Sequence, residues 1–154
     1  MAIEKPSLHI VVVSGKNEAI RQQLTAIDVP PRHRATVLGF TDQIDELMCA
    51  ADVVLTKPGG LTSSEVLARG AAMAIVNPIP GQESRNSDYL LEQGAAIKIN
   101  NLATLSTKLA PLLAEPQRLA RLKENARRME KPRAAFEVAR IALEMAERSR
   151  CRRA

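Results

Sequence analysis

The stretch Ala51-Asp52-Val53-Val54-Leu55-Thr56-Lys57-Pro58-Gly59-Gly60-Leu61-Thr62-Ser63-Ser64-Glu65 decides the architecture. Its β-branched run at residues 52–56 reads as a strand. Lys57-Pro58-Gly59-Gly60 ends that strand, and residues 62–69 then have the character of a helix stopped at Gly70. The same alternation extends in both directions. Upstream, residues 8–13 read as a strand entering the turn Ser14-Gly15. Residues 17–27 form a helix with Ile20, Leu24 and Ile27 on one face, ended by Pro30-Pro31. Residues 35–38 are a second strand, and a helix capped by Thr41 or Asp42 runs through Ala51. Downstream, residues 73–76 and 95–99 are strands around a helix at 82–93. The remainder is helical at 102–114, 116–129 and 134–150, with a break at Lys131-Pro132.

Strands alternating with helices predict an α/β domain with a doubly wound parallel sheet covered on both faces. Right-handed crossovers place the strand-to-helix loops along one rim, where such sheets bind ligands. Here that rim is Ser14-Gly15, Gly39-Phe40-Thr41, Lys57-Pro58-Gly59-Gly60 and residues 77–82, which concentrates the glycine and proline punctuation in one place.

Composition narrows the alternatives. At 154 residues, 45% hydrophobic and 25% charged, the chain is expected to be one domain, residues 1–154, with a core large enough to need no metal or disulfide. Two cysteines, Cys49 and Cys151, exclude a disulfide scaffold and paired CxxC zinc ligands, and they favour a reducing, cytoplasmic setting. No apolar run approaches the roughly 18–20 residues needed to span a bilayer. Met1-Ala2-Ile3-Glu4-Lys5-Pro6 lacks the apolar core of a secretory signal. Aromatics are 2%, so base stacking with single-stranded nucleic acid is not expected. The net charge of +5 is uneven: residues 117–154 carry twelve Lys/Arg against five Asp/Glu, while residues 1–116 carry ten against twelve. The basic C-terminal segment reads either as a solvated helical face or as a contact with an anionic membrane surface, which would place the chain peripherally at the inner face of the membrane.

Three loops carry candidate ligand chemistry. Gly59 and Gly60 allow close backbone approach, and the helix that follows offers unpaired N–H groups and a positive dipole end suited to a phosphate or diphosphate. Thr62, Ser63 and Ser64 add hydroxyls. The plain alternative is an ordinary glycine turn with Thr62 as the helix cap. Glu65, about one turn into the helix, can accept two hydrogen bonds from a ribose diol or simply stabilise the helix start. Pro78-Ile79-Pro80-Gly81-Gln82-Glu83-Ser84-Arg85-Asn86 is a proline-stiffened entry to the next helix. It places Gln82 and Asn86 on one face, with amides and a carboxylate fit for sugar hydroxyls. His9 and His33 have no metal-ligand partners and read as structural. Cys49 reads as packing rather than as a nucleophile. No metal site and no catalytic triad is expected.

These residues also resemble a known family. Gly39-Phe40-Thr41-Asp42 through Glu46-Leu47-Met48, the stretch from Ala51 to Glu65, and Pro78 to Asn86 are similar to the C-terminal, nucleotide-sugar-binding domain of family 28 type glycosyltransferases. Within that group the resemblance is to monogalactosyldiacylglycerol synthases and processive diacylglycerol glucosyltransferases. It runs from about Leu8 to about Leu143. It implies the Rossmann-like C-terminal half of a GT-B enzyme, binding a UDP-sugar for inverting hexosyl transfer to a lipid acceptor such as diacylglycerol, with no cofactor. By resemblance, the backbone at Gly39 and Phe40 reads uracil; Gly59, Gly60, Leu61 and Thr62 meet the diphosphate; Glu65 holds the ribose; and Gln82, Glu83 and Asn86 meet the hexose or its phosphate. No catalytic residue is assigned, because the family's general base belongs to an N-terminal acceptor domain that these residues do not match.

The resemblance further implies a strand and glycine-rich loop ahead of residues 8–13 that have no counterpart here. That strand would lie mid-sheet, beside the strand ending at Lys57. A separate acceptor domain or subunit, a homodimer, and strand exchange remain open as ways to cover the edge. A non-catalytic subunit, a truncated remnant, or an epimerase of a UDP-sugar are the alternative functions. The last helix, residues 134–150, is expected to pack back over the sheet edge or toward the missing domain, with Phe136, Ile141 and Met145 as an apolar stripe.

Overall fold

The computed structural model describes Ile3 and residues 6–151. The readings that rest on Met1, Ala2, Glu4 and Lys5, and on Arg152 and Arg153 of the basic tail, lie outside the described residues. The elements run β1 (His9–Val13), α1 (Glu18–Thr25), β2 (Arg34–Leu38), α2 (Ile44–Ala50), β3 (Val53–Thr56), α3 (Gly60–Ala68), β4 (Ala72–Val76), α4 (Gln82–Glu92) and β5 (Ala96–Ile99). A 3₁₀ turn at Leu102–Thr104 then leads into α5 (Leu105–Ala114), α6 (Pro116–Met129) and α7 (Ala134–Cys151).

Every strand pairing is parallel, and β4 is central to the larger sheet, ordered β3-β4-β5. Its Ala-Met-Ala-Ile-Val run is apolar on both faces because both faces are covered. Met73 and Ile75 pack with Met48 of α2, Val66 of α3 and Leu90 of α4. Ala72 turns to the other side and packs with Leu112 of α5 and Leu122 of α6. α6 also fastens the carboxyl ends of two other helices. Arg127 lies over Gly70, which follows α3, and Asn125 Nδ2 donates to the carbonyl of Gly94, which follows α4, at 3.0 Å. Both glycines have positive φ, +62° and +65°, the left-handed turn that closes a helix. Lys123 of α6 pairs with Asp52 at 2.6 Å, ahead of β3.

Four sequence expectations change. The sheet is not continuous: β1 and β2 form their own two-stranded sheet, in register from His9 beside Arg34 to Val13 beside Leu38. The break separates β1 and β2 from β3, β4 and β5. The α2 helix is entered through Gln43, with no side-chain cap. Thr41 Oγ1 instead accepts from the Gln43 N–H at 3.1 Å, two residues ahead of the cap position. Cys49 is exposed rather than packed. Finally, α7 does not pack back over the sheet, and Phe136, Val138, Ile141, Leu143 and Met145 are all exposed. Helical spacing explains this: Val138, Ile141 and Met145 share one side, while Phe136 and Leu143 share another, so no single stripe forms.

Both histidines are hydrogen-bonded within the smaller sheet. His33 Nδ1 accepts from the Leu8 N–H at 3.1 Å, and His9 Nε2 lies 2.9 Å from Thr36 Oγ1. The fully buried Leu112 links α5 to the covered face of β4, so Leu112→Ala is expected to cost about 2–5 kcal/mol of stability. Urea unfolding of the two proteins measures the difference.

Candidate functional site

The rim at the carboxyl end of β3 is built by two helix starts that meet. Gly59 is extended and caps α3 without a side-chain hydrogen bond. The first helical bond is Ser63 N–H to the Gly59 carbonyl at 2.9 Å, so the amides of Gly60, Leu61 and Thr62 precede it and have no partner within the helix. Thr62 therefore lies inside the first turn and is not the cap. Ser64 Oγ donates to the Gly60 carbonyl at 2.9 Å and adds no hydroxyl to the rim. Glu65 is exposed, on the same helix face as Leu61 and Thr62, and its carboxylate makes no hydrogen bond or ion pair among the described residues.

The second helix start, α4, leans onto the first. Gln82 Nε2 lies 3.6 Å from where a Cβ on Gly60 would sit. Asn86 Nδ2 donates to the Pro58 carbonyl at 2.9 Å, which ties α4 to the β3–α3 turn. Glu83 turns back instead of outward: its Oε2 accepts from the Ile79 N–H at 2.7 Å and closes the proline loop. Gly81, at φ +106°, makes the sharp entry that lets α4 start there, a conformation side chains rarely adopt. Gly59, Gly60, Leu61, Thr62, Glu65, Gln82, Glu83 and Asn86 thus belong to one cluster. Within it Gln82 and Glu65 are outward-facing, and Glu83 and Asn86 are engaged in holding the loops.

Gly39 and Phe40 form a second cluster on the rim of the β1–β2 sheet. A Cβ on Gly39 would lie 3.6 Å from the Gly15 carbonyl, so these two loops touch. The Phe40 ring is 72% exposed, with Lys16 Nζ 5.6 Å from its centroid. No described hydrogen bond joins the two clusters. Lys16 was not among the residues singled out from sequence. Its signal was its place directly after Ser14-Gly15, at the carboxyl end of a strand.

The rim is an open surface. The described concavity, about 210 Å³, lies elsewhere, between α1 and β2, lined by Leu24, Thr25, Ile27, Val29, Ala35 and Val37. Away from the rim, Asp45 and Arg69 form a two-pronged ion pair between α2 and the end of α3. Hydrogen bonding and attraction from Asp45 raise the Arg69 pKa above its ordinary value. Among the described residues, no three His, Cys, Asp or Glu side chains converge as metal ligands.

Comparison with known proteins identifies the class. Residues 2–129 match the family model described as glycosyl transferases group 1, and the chain belongs to that family. Among its relatives, the processive diacylglycerol beta-glucosyltransferase of Bacillus subtilis (strain 168) is 36% identical over 123 residues, which are 80% of this chain and 32% of the relative. The protein of the same name from Bacillus thuringiensis (strain Al Hakam) is 34% identical over 139 residues, 90% of this chain and 36% of the relative. The chain therefore spans about a third of the length of the curated relatives it matches. Among solved structures, Acinetobacter baumannii MurG superposes with a TM-score of 0.76 at 24% identity, covering 91% of this chain and 42% of that one. The glycosyltransferase VinC, solved in complex with dTDP, gives 0.57 at 17% identity, covering 94% and 43%. The fold is the Rossmann-like C-terminal half of a GT-B glycosyltransferase.

Because the Asn86 amide satisfies the Pro58 carbonyl, Asn86→Ala is expected to destabilise the protein by about 1–2 kcal/mol. It should also speed exchange of the Ser63 amide, which bonds to the Gly59 carbonyl in that turn. Thermal unfolding and amide hydrogen exchange check the two effects.

Proposed function

We propose that this domain binds a UDP-sugar and presents its hexose for inverting transfer to a lipid hydroxyl such as that of diacylglycerol. The observation that carries this reading is the meeting of two helix N-termini at Gly60 and Gln82, with unpaired amides on α3 and Glu65 one turn along the same face. A diphosphate suits the amides of Gly60, Leu61 and Thr62, where the helix dipole favours negative charge. A phosphate would not sit beside the Glu65 carboxylate, but a ribose diol can donate to both of its oxygens. Gln82, carrying both a donor and an acceptor, suits a sugar hydroxyl. Glu83 and Asn86 act by positioning, since their polar atoms hold the Ile79 amide and the Pro58 carbonyl. Phe40 borders the uracil end, and Lys16 brings a cation to that rim.

In the transfer, the acceptor oxygen attacks the anomeric carbon and the bond to the diphosphate oxygen breaks, with its electron pair leaving on UDP. Charge then builds on a diphosphate already seated at the start of α3, which lowers the barrier. The acceptor proton goes to a base on the acceptor-binding half. The family membership and the similarity to diacylglycerol glucosyltransferases support the lipid acceptor. The basic C-terminal segment supports a peripheral position on the cytoplasmic face of an anionic membrane. Among the described residues, no helix is long and apolar enough to cross a membrane.

Isothermal titration with UDP tests the donor site. Binding is expected, and Glu65→Ala should weaken it about tenfold or more. Gly60→Ala places its methyl in ordinary contact with Gln82, so the fold is kept while the methyl stands where the diphosphate approaches. That variant should also lose UDP affinity without losing thermal stability. An absence of heat with UDP and with UDP-sugars overturns the reading. Flotation with vesicles checks the membrane position: anionic vesicles should carry the protein up and neutral ones should not.

A further inference from the structure

Within α7 one five-residue pattern occurs twice, as Ala135-Phe136-Glu137-Val138-Ala139 and as Ala142-Leu143-Glu144-Met145-Ala146. Each is alanine, large apolar, glutamate, large apolar, alanine, and it reads the same in either direction. The offset of seven residues puts both occurrences on the same sides of the helix. At about 100° per residue, the four alanines form a floor, Phe136 and Leu143 a ridge along one side of it, and Val138 and Met145 a ridge along the other. Glu137, Arg140, Glu144 and Arg148 gather on the opposite side, where Arg140 pairs with Glu144 at 2.5 Å. The ridges stand clear of the rest of the described chain: Phe136, Val138, Leu143 and Met145 are 71%, 65%, 66% and 63% exposed.

The charge on this helix favours a protein partner over a bilayer. A helix that lies on an anionic membrane carries Lys and Arg in excess on its polar side. Residues 134–151 instead hold three Arg and three Glu, which cancel, and the basic excess sits earlier, in α6 and the turn after it. The reversible pattern then specifies the partner. Two copies of α7 set antiparallel, with a two-fold axis between residues 140 and 141, place Ala139 opposite the second copy's Ala142 and Ala135 opposite its Ala146. Phe136 then flanks the second copy's Leu143, and Val138 flanks its Met145. The alanine floors let the helices approach closely, and the ridges close over both sides of the seam.

We propose that this chain forms a two-fold dimer through antiparallel pairing of α7 with the α7 of a second copy. The four ridge side chains leave on the order of 500 Å² of apolar surface exposed per copy, so a pair that covers them reaches the roughly 1,000 Å² that a specific interface needs. That is the lower end of the range, and a dissociation constant on the order of micromolar is expected. The parallel alternative is disfavoured twice. It would bring two bodies of residues 6–129 to the same end of helices only about 8–10 Å apart, and it would align the helix dipoles instead of opposing them.

Sedimentation velocity of the full chain, from about 1 to 100 μM, should show a monomer–dimer equilibrium. Leu143→Glu and Ala139→Glu should each weaken it by about tenfold or more, because each buries a charge in the seam. Glu144→Gln, on the opposite side, should leave it unchanged. All three positions face water in the single chain, so the circular dichroism spectrum should stay the same. In a background carrying Cys49→Ser and Cys151→Ser, an equimolar mixture of Ala135→Cys and Ala146→Cys chains should form a mixed disulfide on oxidation, and neither chain alone should. The proposal is overturned by a monomer at every concentration, by a dimer that neither glutamate variant weakens, or by disulfides within each single variant, the mark of a parallel pair. A monomer that uses Leu143 to bind vesicles or a coexpressed acceptor-binding half overturns it as well. Association is read without nucleotide, so it stands or falls separately from the donor site.

Discussion

A parallel sheet has to satisfy its backbone groups strand by strand, and β4 is where this chain does so on both sides at once. Its neighbours β3 and β5 complete the hydrogen bonding, α2, α3 and α4 cover one face, and α5 and α6 cover the other. Ala72 through Ile75 are completely buried, so β4 fixes the level at which the preceding and following helices begin. The β3–α3 and β4–α4 turns emerge side by side because β3 and β4 are adjacent and parallel. The contact of Gln82 with Gly60 and the bond from Asn86 to Pro58 follow from that adjacency. The rim is thus a product of sheet order, and its polar groups need only short reaches to meet.

The same requirement accounts for the contrast between the two sheets. β1 is as apolar as β4 but has one strand neighbour where β4 has two. With a partner on one side, its β-branched side chains stay accessible, and its contribution to the core is small. Met48 of α2 reaches the buried cluster, and Asp45 grips Arg69, so the smaller sheet is joined to the larger chiefly through α2.

Much of the architecture was legible in the residues. The strands were readable as β-branched runs ended by Gly or Pro, and the structure shifts most of their bounds by a residue or so. Gln82 and Asn86 share a face because a four-residue spacing on a helix requires it. What was not legible depended on contacts distant in the chain. Glu83 looked like a sugar-binding carboxylate, yet it closes its own loop, because the sharp turn at Gly81 brings the start of α4 back to the Ile79 amide. Cys49 looked like core because its neighbours are apolar, but only the Met48 side of that helix meets β4. Lys16 carried no motif, and its nearness to Phe40 comes from the pairing of β1 with β2. The stripe expected on α7 failed because its large apolar residues fall on two sides of the helix.

The grip of α6 on Gly70 and Gly94 has a consequence for the rim. Those glycines sit at the far ends of α3 and α4, the two rods whose opposite tips carry Gly60 and Gln82. Arg127 and Asn125 therefore act as a remote anchor that sets the relative pitch of the tips. Drift at either anchor would be felt as slackened alignment at a ligand that neither side chain touches.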